Sequence, residues 1–148
     1  MSFTVVPEFG YVVLTSAAMG FHCIAQGGAV GGLRKKYGIE YPDMGSGRYS
    51  TKLTDEQWFK FNCAQRAHQN YLEVLPILLS WLLISGLKFP LYATGLGITS
   101  IIGRQFYAMG YRANGPKGRS VGAGISAIGL LGLLVTTVAT GLKFAQLI

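Results

Sequence analysis

Three observations predict an all-α protein, an integral membrane four-helix bundle. Of the 148 residues, 50% are hydrophobic and only 13% are charged, about half the charged share of an ordinary soluble domain. The apolar residues gather in four long segments, more than the core of one small domain can hide. Finally, 13 Lys and Arg against 6 Asp and Glu collect beside those segments, as the positive loops of membrane proteins do. No nucleic-acid motif accompanies the formal charge of +7, so no nucleic-acid partner is expected. Met1-Ser2-Phe3 lacks a basic leader region, and the first apolar segment is therefore expected to stay in place as a span. The chain reads as one domain, residues 1–148.

The first segment, about Phe9–Leu33, is long enough at roughly 1.5 Å per residue to cross a hydrocarbon layer of about 30 Å. Gly27, Gly28, Gly31 and Gly32 form overlapping Gly-x-x-x-Gly pairs that suit close helix approach. A phosphate-binding loop is excluded, because Leu33 and Arg34 stand where Lys and Ser/Thr are required. After Arg34-Lys35-Lys36, a polar loop with Pro42, Gly45, Ser46 and Gly47 runs to about Lys60. The second segment, about Phe61–Leu87, starts polar and becomes apolar after Pro76, which removes a helical hydrogen bond from Leu72 and should bend the helix. Lys88-Phe89-Pro90 makes a short turn into the third segment, about Leu91–Tyr111. Asn114-Gly115-Pro116 signals a turn in a loop expected over Arg112–Arg119. The fourth segment, about Ser120–Leu147, places Gly122, Ser126 and Gly129 at helical spacing, suited to a tight interface.

Four spans put both termini on one side. The opposite side would hold Arg34, Lys35, Lys36, Arg48, Lys52, Lys60, Arg112, Lys117 and Arg119, against Lys88 and Lys143 alone on the terminal side. The positive-inside rule places the richer loops in the cytosol.

Within this frame, Arg66, Asn70 and Glu73 fall at i, i+4 and i+7, on one helix face with Asn62 and Gln69. An arginine, an amide and a carboxylate at a membrane boundary are costly unless they face protein or a wet cavity. Ser100, Arg104, Tyr107 and Tyr111 share a face of the third segment at the same level, with Arg34 and Lys35 ending the first and Arg119 opening the fourth. Such a set suits a small ligand with two carboxylates and an amine: Glu73 takes the amine, and Arg66, Asn70 and Arg34 take the carboxylates. Plainer readings compete. The terminal cations can snorkel to headgroups, Arg66 and Glu73 can form a structural ion pair or line a permeation path, and the tyrosines can be interfacial belt residues. His68 points away from the stripe by helical phase. Cys23 and Cys63 form no metal pattern, and no metal site is expected.

The run Arg66-Ala67-His68-Gln69-Asn70-Tyr71-Leu72-Glu73-Val74-Leu75-Pro76, with Lys35-Lys36-Tyr37, Glu40-Tyr41-Pro42, Gly103-Arg104, Tyr107 and Gly110-Tyr111, resembles the signature of the membrane-associated proteins in eicosanoid and glutathione metabolism. The resemblance covers nearly the whole chain. It implies a homotrimer of four-helix subunits that binds glutathione as co-substrate between neighbouring subunits on the cytosolic side. It also implies a glutathione transferase or glutathione-dependent lipid hydroperoxide reductase (a glutathione peroxidase), with leukotriene C4 synthesis as a further activity. The implied partners are membrane lipids and a lipophilic electrophile or lipid hydroperoxide, and the implied home is the endoplasmic reticulum or outer mitochondrial membrane. By matching position, Arg34, Arg66, His68, Asn70, Glu73, Arg104, Tyr107 and Tyr111 would bind glutathione. Arg119 would stabilise its thiolate, and Lys35 would stand at a proton-donating position. Lys35 replaces an arginine and Val74 a tyrosine of the family's leukotriene C4 synthases, and both departures weigh against efficient leukotriene synthesis. The alternative is a non-catalytic lipid-binding member, similar to the five-lipoxygenase activating protein.

Overall fold

A computed structural model describes residues 6–148, and among them every regular element is helical. Four helices follow in order: α1 (Phe9–Tyr37), α2 (Asp55–Gly86), α3 (Pro90–Gly118) and α4 (Ser120–Phe144), with one 3-10 turn at Ser50–Lys52 in the loop between α1 and α2. α1 and α4 are each long and apolar enough to cross a membrane. Their outer faces are bare of protein: Phe21, Ile24, Val121 and Val135 are each about two-thirds or more exposed. That pattern fits lipid as the solvent and would be costly in water. α2 and α3 fall short of the same hydropathy because they turn polar groups inward, burying Gln65, Ser85, Ser100 and Arg104.

The C-terminal end of α1 and the N-terminal end of α2 extend beyond the sequence reading. α1 runs to Tyr37 because Gly38 adopts the left-handed conformation (φ 64°) and turns its N–H back to the carbonyls of Arg34 and Lys35, a glycine C-cap. α2 begins six residues early at Asp55. Thr54 accepts from the Gln57 N–H while the Gln57 side chain accepts from the Thr54 N–H, a reciprocal capping box, and Asp55 and Glu56 complement the helix N-terminus. Residues 112–118, expected as loop, are instead helical, and the turn signal appears as a single break at Gly115 (φ 66°, ψ −156°).

The core has a largely apolar cluster of Val12, Met19, Cys23, Tyr71, Leu78, Leu82, Ala93 and Leu133. The closest helix pair is α3–α4, where Gly122 lies against the Tyr107 backbone, Gly103 against that of Ser126, and Gly129 against Ser100 and Leu96. The small residues of the fourth segment therefore serve the tight interface their spacing suggested. The α1 glycines do not: among the described residues Gly28, Gly31 and Gly32 have nothing across from them, and of the four only Gly27 meets a neighbour, the His68 ring.

Candidate functional site

The helical phase of α2 brings the polar stripe together. The Arg66 guanidinium meets Glu73 Oε1 at 2.9 Å, and the Asn70 amide donates to Glu73 Oε2 at 3.2 Å. Both members of the ion pair are about half exposed, where a lone pair contributes little to stability. From α3, Arg104 donates through Nη1 to Asn70 Oδ1 at 2.8 Å, extending the network into the protein interior.

Arg104 is the unusual member. It is 7% exposed, its guanidinium lies over the Tyr71 and Tyr107 rings at 5.4 and 5.5 Å, and its Nε is buried without a partner among the described residues. A buried guanidinium is costly unless paired, and two aromatic faces and one amide oxygen compensate it only in part. Tyr107 passes the arrangement on to the head of α4: Arg119 donates from Nη1 to the Tyr107 hydroxyl at 3.1 Å and lies 5.6 Å from the Tyr111 ring centroid. Arg66, Asn70, Glu73, Arg104, Tyr107, Tyr111 and Arg119 thus form one continuous constellation on α2, α3 and α4.

The remaining predicted residues lie apart from it. Arg34 is 6% exposed and its Nη1 is spent on the loop that follows, donating to the carbonyls of Asp43 (2.7 Å), Ile39 (3.3 Å) and Glu40 (3.5 Å), with Tyr41 stacked 4.2 Å from the guanidinium. His68 points to α1, as its phase indicated, and lines a cavity of about 320 Å3 with Gly27, Arg34, Tyr41, Met44 and Gln69. Lys35 is exposed at the end of α1, beside Glu40 and Tyr41. These three face the α1 side of α2. A second cavity of about 330 Å3 opens on the stripe side, lined by Trp58, Asn62, Cys63, Arg66, Tyr111 and Pro116.

Two features were not read from the sequence. Asp43 is 6% exposed, and its carboxylate accepts from the backbone N–H groups of Gly45, Gly47, Tyr49 and Ser50 at 2.7–2.9 Å and from the Ser50 hydroxyl at 2.6 Å. Burial opposes its ionisation, but these five donors outweigh it and hold the carboxyl well below the usual carboxylate range. The paired glycines around it were the only signal, since nothing local marks which acid a loop will wrap. The second feature joins α1, α2 and α3: His22 contacts the Tyr71 hydroxyl (3.3 Å) and Gln105 Oε1 (3.0 Å), and the Gln26 amide donates to Gln105 Oε1 at 2.8 Å. Polar side chains in apolar helices find one another in this way, and His22, Gln26 and Gln105 were visible as the odd polar residues in those segments.

Lipid-facing apolar helices closed around a cation-rich polar cleft define an integral membrane protein with a polar constellation among its helix ends. A family model described as the MAPEG family matches residues 12–139. The chain belongs to that family, whose members include glutathione transferases and leukotriene C4 synthase as well as non-catalytic proteins.

Proposed function

We propose that the protein is a glutathione transferase and glutathione-dependent lipid hydroperoxide reductase, similar to the type 3 microsomal glutathione transferases, and that it works as a homotrimer. One observation carries the reading: three guanidiniums share a constellation with a single carboxylate, Glu73, which Arg66 pairs directly, Arg104 reaches through Asn70, and Arg119 joins through Tyr107. The excess of two positive charges complements glutathione in its reactive form, which has two carboxylates, one ammonium and one thiolate. In this reading Glu73 takes the ammonium, Arg66 and Arg104 take carboxylates, and the unpartnered Arg104 Nε gains an acceptor. Arg34, His68 and Lys35, which face the α1 side, would serve the site of a neighbouring copy. The exposed glycine face of α1 leaves room for such a neighbour.

A thiol with a pKa near 8.5 is mostly protonated at neutral pH, and the thiolate is the nucleophile. The Arg119 guanidinium, oriented by the Tyr107 hydroxyl, would stand beside the sulfur and lower its pKa. The thiolate then bonds to an electrophilic carbon, with the carbon's leaving group departing as an anion (chloride from a chloronitrobenzene), or attacks the terminal oxygen of a lipid hydroperoxide. In the second case the O–O bond breaks, the lipid leaves as an alcohol after taking a proton, and a second glutathione condenses with the sulfenic acid to give the disulfide and water. The positive loops support a cytosolic site, and in this reading the protein sits in the endoplasmic reticulum or outer mitochondrial membrane and draws its second substrate from the bilayer.

Calorimetric titration of the detergent-solubilised protein with glutathione tests the reading. Binding heat and turnover of a lipid hydroperoxide or a chloronitrobenzene acceptor are expected. No heat, with retained lipid binding, would move the protein to the non-catalytic members of the family.

A further inference from the structure

His22, Gln26 and Gln105 take no part in the constellation around Glu73. At about 1.5 Å per residue, His22 and Gln105 each lie roughly 20–23 Å from the terminal-side ends of α1 and α3. That depth is inside a hydrocarbon layer of about 30 Å, nearer its cytosolic face. Gln105 Oε1 accepts from the Gln26 amide at 2.8 Å and faces His22 Nε2 at 3.0 Å. The Gln105 amide nitrogen and the Gln26 side-chain oxygen are left without a partner among the described residues. Gln105 is exposed and Gln26 partly so. Bare amide groups are costly in hydrocarbon, and polar side chains at this depth point to a site. The same face of α3 gives the site its shape. Ile98, Ile102 and Met109 stand two turns before, one turn before and one turn after Gln105, and each is close to half exposed. Arg112 follows two turns after Gln105, about 10 Å nearer the cytosol. Its Nε donates to the Ala108 carbonyl at 3.1 Å, and its two terminal nitrogens have no partner among the described residues. The face is therefore an apolar track with one polar step and a cation at its cytosolic end.

We propose that this face of α3, with Gln26 beside it, binds a long-chain fatty acid that carries a hydroxyl or hydroperoxyl group in mid-chain. The carboxylate pairs with the Arg112 guanidinium, and the acyl chain lies along Ile98, Ile102 and Met109. The O–H group both donates and accepts, and it matches the open donor of Gln105 and the open acceptor of Gln26. An unoxidised chain leaves both bare, and a ketone leaves the Gln26 oxygen bare. An extended chain gains about 3.3–3.6 Å per three bonds, so about nine bonds span the rise from Gln105 to Arg112. That spacing places the oxygen near the tenth carbon. The proposal does not rest on glutathione binding and holds equally for a non-catalytic member of the family.

Equilibrium binding of radiolabelled fatty acids to the full chain in nanodiscs, counted over empty nanodiscs and without glutathione, tests the proposal. The probes are 10-hydroxystearate, 2-hydroxystearate and stearate. The native protein is expected to favour 10-hydroxystearate about tenfold over both others, a comparison that needs no variant. Gln105→Leu, which suits a lipid-facing helix position, should bring the three probes within about threefold. Arg112→Gln should weaken all three about tenfold and keep the preference. Equal binding of the three probes by the native protein, or an unchanged preference in Gln105→Leu, overturns the polar step. Unchanged affinities in Arg112→Gln overturn the carboxylate contact. A second copy of the chain is the competing occupant of this face: ready disulfide formation between two copies of Gln105→Cys on mild oxidation overturns the lipid site.

Discussion

The contact between α3 and α4 yields a prediction with opposite signs two residues apart. A Cβ built on Gly122 would fall inside the backbone of Tyr107. No flexible side chain can yield there, so Gly122→Ala must push the two helices apart. Overpacking of this kind costs about 1–3 kcal/mol, which for a chain of about 150 residues corresponds to a fall in Tm of roughly 2–12 °C. Gly124 sits on the same helix with nothing within 4 Å, and Gly124→Ala should be neutral or stabilising by up to about 1 kcal/mol through helix propensity. The functional reading adds a second readout. Arg119 lies one turn before Gly122 and is bonded to Tyr107, so separating the helices displaces the guanidinium from the hydroxyl. Gly122→Ala should therefore lose glutathione turnover beyond its loss of folded protein, and Gly124→Ala should not. Thermal unfolding in detergent, followed by activity normalised to folded fraction, reads both. Equal behaviour of the two variants, or stabilisation by Gly122→Ala, would refute the reasoning.

Other outcomes follow from the site. Arg119→Ala should lower turnover at pH 7 by about 10²–10³-fold and move the alkaline rise of the pH–rate profile up towards the free thiol near 8.5. An unshifted profile removes Arg119 from thiolate stabilisation. Arg104→Lys keeps the charge but not the planar fork that reaches Asn70, and should raise the glutathione KM about tenfold with a smaller effect on kcat. Because the Asp43 carboxyl is held below its unfolded value near 3.9, its stabilisation is complete above that pH and is lost as the pH falls through the lower folded value. The stability gap between the native protein and Asp43→Asn should thus stay constant from pH 8 to about pH 5 and shrink below about pH 4 in melting experiments.

The helices and the stripe were legible because both are local. Arg66, Asn70 and Glu73 meet through helical spacing alone, and Ser100, Arg104, Tyr107 and Tyr111 are all buried on the α3 face their spacing predicted. The early start of α2 was missed: Thr54-Asp55-Glu56-Gln57 carries a capping box that outweighs the polar composition that suggested loop. The strong turn signal at Asn114-Gly115-Pro116 was misleading for a different reason. One residue in the left-handed region satisfies Gly115, and helix resumes at once because a proline is at home in a first turn. What sequence could not supply was tertiary. Arg34 read as a ligand-facing cation, yet its partners here are main-chain carbonyls that become neighbours only after residues 39–43 fold back. Asp43 likewise becomes central only when four amides converge on it. The α1 glycines suggested close helix approach, but among the described residues nothing meets Gly28, Gly31 or Gly32.

The backbone contacts along α3 and α4 have a mechanical consequence. Gly103, Gly122 and Gly129 lock main chain against main chain or its nearest atoms, so these two helices move as one stiff plate. α1 and α2 meet through side chains instead, with the His68 ring over Gly27 and Val12 and Phe9 over Gly86, and side chains can change rotamer. The bundle is therefore rigid on one flank and compliant on the other. Thermal breathing will open the α1–α2 seam first, and hydrogen exchange should be slowest where α3 and α4 are joined.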